Sequence, residues 1–340
     1  MKKIYFPVLI LSVLILSCSD DSVQNTGSNN NYIPTGDIFI IKRSPQQGGY
    51  STFSINEDGT NLKLINDSLM ISSSSYSGKI SLAKIDNSGY FFDKLYVADT
   101  NGNNIVNIPR ENYYPVCFIL SPKGDKVLFT TDVENSLCVI NSYGTGLKLI
   151  SNGIRGTERV PKFSPDGLRI AFFEAPANLH TALYIINTDG FGKVLVKDSI
   201  LYQQAAMLDW SPDGSKLVFE NGNAPNTKIC IIDTNGSKYT VLTDGVNPSW
   251  SRDGSKIAFL KNVNQGLQDV FIIDTDGSNI QNISNTFNEL ETEPYCSPVN
   301  FNKILFVTSP MPYGILKSYD VNSQDISVIA DSVTWAFWKY

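Results

Sequence analysis

From Asp37 to the C-terminus, short apolar runs rich in β-branched and aromatic residues alternate with clusters of Ser, Asp, Asn, Gly and Pro. No long stretch holds apolar residues at the 3.6-residue spacing of an amphipathic helix, so the pattern predicts many short strands. The runs repeat. An apolar strand ending in Asn or Asp and followed by a turn reads FSINEDG, YVADTNG, CVINSYG, YIINTDG, CIIDTNG, FIIDTDG and, more weakly, KSYDVNS. Its Asx positions are Asn56, Asp99, Asn141, Asn187, Asp233, Asp274 and Asp320, spaced 41 to 46 residues apart. A second landmark precedes it: LSPKGDKVLF from Leu120, FSPDGLRIAF from Phe163, WSPDGSKLVF from Trp210 and WSRDGSKIAF from Trp250. CSPVNFNKILF from Cys296 is a degenerate copy, and Tyr76-Ser77-Gly78 before KISLAKI a shortened one.

Each landmark has a physical reason. Ser-Pro-Asp-Gly is a β-turn signal: Pro presets φ, Asp suits the third position, and Gly ends the turn without a Cβ clash. Asp-Gly and Asn-Gly in the other landmark predict two-residue hairpin turns. Each unit therefore reads as four strands: A around the Trp-Ser or Phe-Ser pair, B the IAF-like run, C the YIIN-like run, and D the KLI- or TVLT-like run. Four-stranded units of this length, repeated seven times, predict an all-β fold, a seven-bladed β-propeller of antiparallel blades. The first unit has B (DIFIIK), C (STFSIN) and D (LKLI) but no A strand, while SVTWAFWKY at 332–340 is a strand left over. The expectation is that this C-terminal strand completes the first blade, with Trp338 at the place of Trp210 and Trp250, and so removes an open edge.

With these repeats in view, the WSPDG-x-KIAF and YIxNxDG pattern resembles TolB-like, or WD40-like, propeller repeats. These are shared with the propeller domain of the prolyl oligopeptidase and dipeptidyl peptidase IV families. The resemblance covers about 37–340 and concerns turn and core positions, so it implies the fold and says little about function. Two departures stand out. Only the polar stretch Ser19–Gly36 precedes the first blade, where TolB carries an α/β domain. The chain also ends with the propeller, where the peptidases carry a hydrolase domain.

The N-terminus reads as an address. Lys2 and Lys3 are followed by an apolar run from Ile4 to Ser17, the length of a signal-peptide h-region and short for a bilayer span. Ile15-Leu16-Ser17-Cys18 resembles the lipobox of bacterial lipoproteins, which implies cleavage after Ser17 and lipidation of Cys18. The expected organisation is a signal peptide at 1–17, a lipidated Cys18 with a flexible tether at 18–36, and the propeller at 37–340. Multiple acyl chains anchor firmly, so the expected location is the outer membrane, on its periplasmic side or at the cell surface. Asp20 and Asp21 leave that orientation open.

Composition mostly excludes. Lys+Arg 27 against Asp+Glu 33 gives a net charge of −6, which argues against a nucleic-acid surface. The one histidine, His180, cannot build the several-histidine metal site of propeller-type polysaccharide lyases, and no G-x-S-x-G nucleophile elbow is present. The Asp274-Thr275-Asp276-Gly277 turn stops after two carboxylates of a calcium-loop pattern and reads as a hairpin. No cofactor is expected. Cys117, Cys138, Cys230 and Cys296 fall in registers too far apart for disulfides and are expected to be small buried hydrophobes. What remains is loop surface. The D–A and B–C loops share one face around the axis. There Arg155, Glu158, Arg159, Glu291, Glu293 and Tyr313 are the candidate binding residues, Glu158 and Glu291 at the same repeat position. The functional expectation is a tethered, non-catalytic propeller holding a protein, peptide or glycan. The alternative is a glycan lyase or hydrolase using those carboxylates.

Overall fold

The computed structural model describes residues 38–43, 49–85, 92–109, 115–131, 136–151, 161–174, 181–201, 207–263, 267–286, 289–292, 294–298, 302–308 and 314–338. All regular structure among them is strand, in seven four-stranded antiparallel sheets. Six blades use consecutive strands, for instance Leu208–Trp210, Lys216–Asn221, Lys228–Asp233 and Thr240–Asp244 in the fifth. The first blade does not. Its innermost strand is Trp335–Trp338, paired antiparallel to Ile38–Arg43 with Ile38 opposite Trp338 and Ile41 opposite Trp335. The last strand thus closes the ring, as the missing and spare strands predict. Trp338 opposes Ile38 as Trp210 opposes Leu217 and Trp250 opposes Ile257.

The turns explain why these residues form these elements. In Ser164–Gly167 the Gly167 N–H donates to the Ser164 carbonyl at 2.8 Å, and Asp166 accepts from the Leu168 N–H at 2.9 Å. Gly167 has φ +71°, which glycine adopts without Cβ strain. The C–D turns differ from the two-residue hairpins expected. Gly190 N–H donates to Asn187 O while Asn187 N–H donates to Phe191 O, so Thr188-Asp189-Gly190 is a three-residue loop. The glycine, at φ +87°, ends it in the left-handed conformation that such loops require. The same pair of bonds closes Asp233–Ser237 and Asp274–Ser278.

The core lies between the faces of neighbouring blades. Ala171 and Leu183 of the fourth pack with Trp210 and Phe219 of the fifth, and Leu305 and Leu316 of the seventh pack with Ile38 and Ile40 of the first. Among the described side chains the inner strands are mostly buried, while outer strands expose residues such as Leu64, Leu149, Val241 and Val328.

Candidate functional site

The D–A and B–C connections emerge where the B strands end and the C strands begin. Four carboxylates sit beneath this face. Glu174, ending Arg169–Glu174, accepts from Ser151 Oγ of the preceding blade at 3.0 Å and pairs with Lys193 Nζ at 2.5 Å. Glu220, the penultimate residue of the fifth blade's B strand, accepts the Asn247 N–H at 2.5 Å and so fastens the entry into the sixth blade. Asp269 and Glu291 lie together under the crossover to the seventh. The Asn282 side chain reaches Asp269 Oδ2 at 2.6 Å. Thr286 Oγ1 lies 2.8 Å from Glu291 Oε1 and 3.4 Å from Asp269 Oδ1. Glu291 Oε2 accepts from the Val270 N–H at 2.8 Å and from Ser284 Oγ at 2.6 Å.

Glu291, proposed from sequence as a ligand contact at the axial mouth, is thus 2% exposed and turned inward onto its own loop and the sixth blade's C strand. The backbone N–H of Val270 and the two hydroxyls explain why: a buried carboxylate needs donors, and the loop supplies them. Arg155, Glu158, Arg159, Glu293 and Tyr313, together with His180 and Cys18, lie outside the described residues. The bracing carboxylates Glu174, Glu220 and Asp269 were not singled out from sequence. The signal was a charge breaking the repeat: Glu220 stands where the other B strands have Phe173, Leu260 and Val307.

Burial pushes the Glu291 carboxyl above its ordinary value, and the Asp269 charge adds to the shift while the three donors oppose it. A carboxyl raised in the folded state binds its proton more tightly there than in the unfolded chain. Its stabilisation is present below the ordinary carboxylate pKa and is lost as pH rises through the raised value. Glu291→Gln is uncharged and keeps one oxygen for Val270 and Ser284, while its amide donates to Thr286. Melting curves from pH 4 to 8 should show the variant matching the wild type in acid and exceeding it increasingly towards neutrality. A variant less stable at every pH would contradict this reading of the brace.

Nearer the axis, hydrogen bonds join the A strands of successive blades. Ser72 Oγ donates to Phe118 O at 2.6 Å, and Leu120 N–H donates to Ser73 Oγ at 2.7 Å. Lys162 Nζ meets Asp209 Oδ1 at 3.4 Å, both side chains being buried, and Asp209 Oδ2 accepts the Trp250 N–H at 2.9 Å. Trp210 Nε1 donates to Lys162 O at 3.2 Å. Burial pushes the Asp209 carboxyl up, while Lys162 and the backbone N–H groups pull it back. Asp209 therefore ties three blades together. Cys117, Cys138, Cys230 and Cys296 are buried and in no disulfide, and burial pushes the Cys117 and Cys296 thiols up to about 12. Thiols so disfavoured as thiolates are poor nucleophiles. Among the described residues no group of three or more His, Cys, Asp or Glu is placed to hold a metal ion.

Comparison with known proteins agrees with this architecture. The model of the TolB beta propeller domain matches residues 73–330. Among solved structures, the chain is similar to TolB from Acinetobacter baumannii at 17% identity and a TM-score of 0.57, over 93% of this chain and 88% of that one. It is similar to a puromycin-hydrolyzing peptidase of Mycobacterium tuberculosis at 12% identity and a TM-score of 0.64, over 87% of this chain and 52% of that one. It is also similar to an oligogalacturonate lyase in complex with manganese at 11% identity and a TM-score of 0.57, over 87% of this chain and 86% of that one. At these identities the likeness is one of fold. No curated protein matches.

Proposed function

Because the chain belongs to the TolB beta propeller domain family, we propose that it is an envelope protein, lipid-anchored through Cys18, that binds a protein or peptide on its loop face without chemical turnover. The observation that carries the reading is the construction of that face. A ring closed by its own last strand brings to one side the strand ends from which the D–A and B–C connections leave, and Glu174, Glu220, Asp269 and Glu291 are hydrogen-bonded there. Binding surfaces gain from such bracing, because supporting residues fixed beforehand lose less entropy when a partner docks. The anchor and the outer-membrane location rest on the lipobox-like Ile15–Cys18 and the polar tether behind it.

The test uses the full chain, extracted in detergent and immobilised, with envelope extracts passed over it. A polypeptide retained in defined stoichiometry, and released by excess free chain, is the expected result. In cells, Cys18→Ala should leave the protein unprocessed or free of the membrane, and a variant still in the outer-membrane fraction after alkaline wash would exclude the lipid anchor. A second reading, a glycan lyase or hydrolase, draws on the Glu291 carboxyl, whose pKa is raised by burial, the direction of shift a general acid uses. Turnover of a glycan by the purified protein, abolished by Glu291→Gln, would establish that reading and displace the first.

A further inference from the structure

The repeats provide an internal template for one site. Between the fourth and fifth blades a slot is filled by Trp210, packed with Ala171 and Ile185 and carrying the Arg169 guanidinium 5.0 Å from its ring centroid. Trp250 fills the next slot, between the fifth and sixth blades. Between the sixth and seventh, the residue in the same register is Cys296, opposite Ile304 as Trp210 is opposite Leu217. Its side chain enters the same slot. Cys296 Sγ donates to Ser249 O at 3.5 Å, just as Trp210 Nε1 donates to Lys162 O, and Ser249 and Lys162 hold one repeat position.

A thiol is far smaller than an indole, and a cavity of about 30 Å³ remains beside Cys296. Its apolar walls are Ala258, Ile272, Ile304 and Val321. Ala258 and Ile272 stand where Ala171 and Ile185 flank Trp210. Lys256 stands where Arg169 lies over that ring, and it lines the cavity with Lys303. Both lysines are ion-paired beyond the cavity, Lys256 to Asp274 and Lys303 to Asp320 and Glu57. Their flexible stems can therefore swing aside while the ammonium groups keep carboxylate partners.

We propose that this slot between the sixth and seventh blades is a binding site for the indole ring of a tryptophan on a partner polypeptide, the ring type that the chain itself supplies to the two preceding slots. As found, the void holds about one water molecule. Entry of a ring requires the lysine stems to open, after which the ring lies between apolar walls with a cation over its face. The site lies beside the A–B turn of the sixth blade, Ser251–Ser255, opposite the loop face, so it stands or falls separately from the binding proposed there.

N-acetyl-tryptophanamide and free indole serve as probes, titrated into the full-length protein and followed by protein-observed NMR. Saturable binding of both is expected, on the order of millimolar for so small a group. Cys296→Ala, which enlarges the void, should bind more tightly. Cys296→Trp, which fills the slot from within, should bind about tenfold or more weakly. The Ala variant keeps the test decisive if the Trp variant fails to fold. Absence of saturable binding in both wild type and Cys296→Ala would overturn the proposal, as would equal binding by a folded Cys296→Trp. Binding of indole without N-acetyl-tryptophanamide would assign the slot to a free aromatic molecule and overturn the polypeptide partner.

Discussion

Removing residues 335–340 should abolish the cooperative unfolding transition, leaving a protein that aggregates or melts without a defined midpoint. The deletion strips the innermost strand from the first blade. The edge it bares is Ile38–Ile41, whose four side chains are at most 1% exposed. Each buried aliphatic or aromatic side chain contributes about 1.5–3 kcal/mol. The four together are comparable to a domain's whole stability of about 5–15 kcal/mol. The loss also removes Ala336 from the cluster that joins Ile38 and Ile40 to Leu305 and Leu316, so the seventh blade loses its neighbour as well. An open edge of this kind pairs readily with other chains. Calorimetry checks the outcome, with deletion of 19–34, a polar stretch with almost nothing to bury, as the control that should melt as the parent does.

The second large effect is expected at Asp209. Asp209→Ala leaves the buried Lys162 ammonium without its carboxylate and the Trp250 N–H without its acceptor. Breaking a buried ion pair from one side costs about 3–5 kcal/mol, because the remaining charge is stranded in a medium that solvates it poorly. The pair need not stabilise the fold relative to an uncharged one. Lys162→Met combined with Asp209→Asn removes both charges and keeps an oxygen for Trp250, so it should recover most of the loss. Urea midpoints at unchanged m-value measure both effects. A double variant as unstable as Asp209→Ala alone would place the cost in packing rather than in the stranded charge.

The architecture was legible because its determinants are local and repeated. Ser164-Pro165-Asp166-Gly167 can be read as a turn from residue chemistry alone, and the structure forms the Gly167 to Ser164 bond that chemistry implies. The closure was legible because a missing strand at one end matched a spare strand at the other. The turn after the C strand is one residue longer than the dipeptide predicts, because Asp-Gly suits a two-residue hairpin and also the end of a three-residue loop. Only the Asn187 N–H to Phe191 O bond distinguishes them. The buried charges were hidden for a different reason. Lys162 and Asp209 are 47 residues apart and meet only because two inner strands lie side by side. The repeat position of Glu291 puts it at the end of the D–A loop. Its inward turn depends on Ser284, Thr286 and the Val270 N–H, a set of donors that no spacing rule identifies. The vacancy beside Cys296 belongs to the same class: the substitution is visible in sequence, but the void it leaves depends on what the neighbouring blades do not fill.

The ring closure itself is tested most directly by a cross-link between the two ends of the propeller. Ile40 and Ala336 face each other in register, and both are buried in one cluster. Directly opposed antiparallel residues lie about 4.5–5.5 Å apart between Cα atoms, within disulfide reach. In the full chain carrying Ile40→Cys and Ala336→Cys, oxidation followed by proteolysis and mass spectrometry should recover one disulfide-linked peptide pair, formed within a single molecule. Recovery of only unlinked peptides, or of links between molecules, would show that the last strand does not complete the first blade.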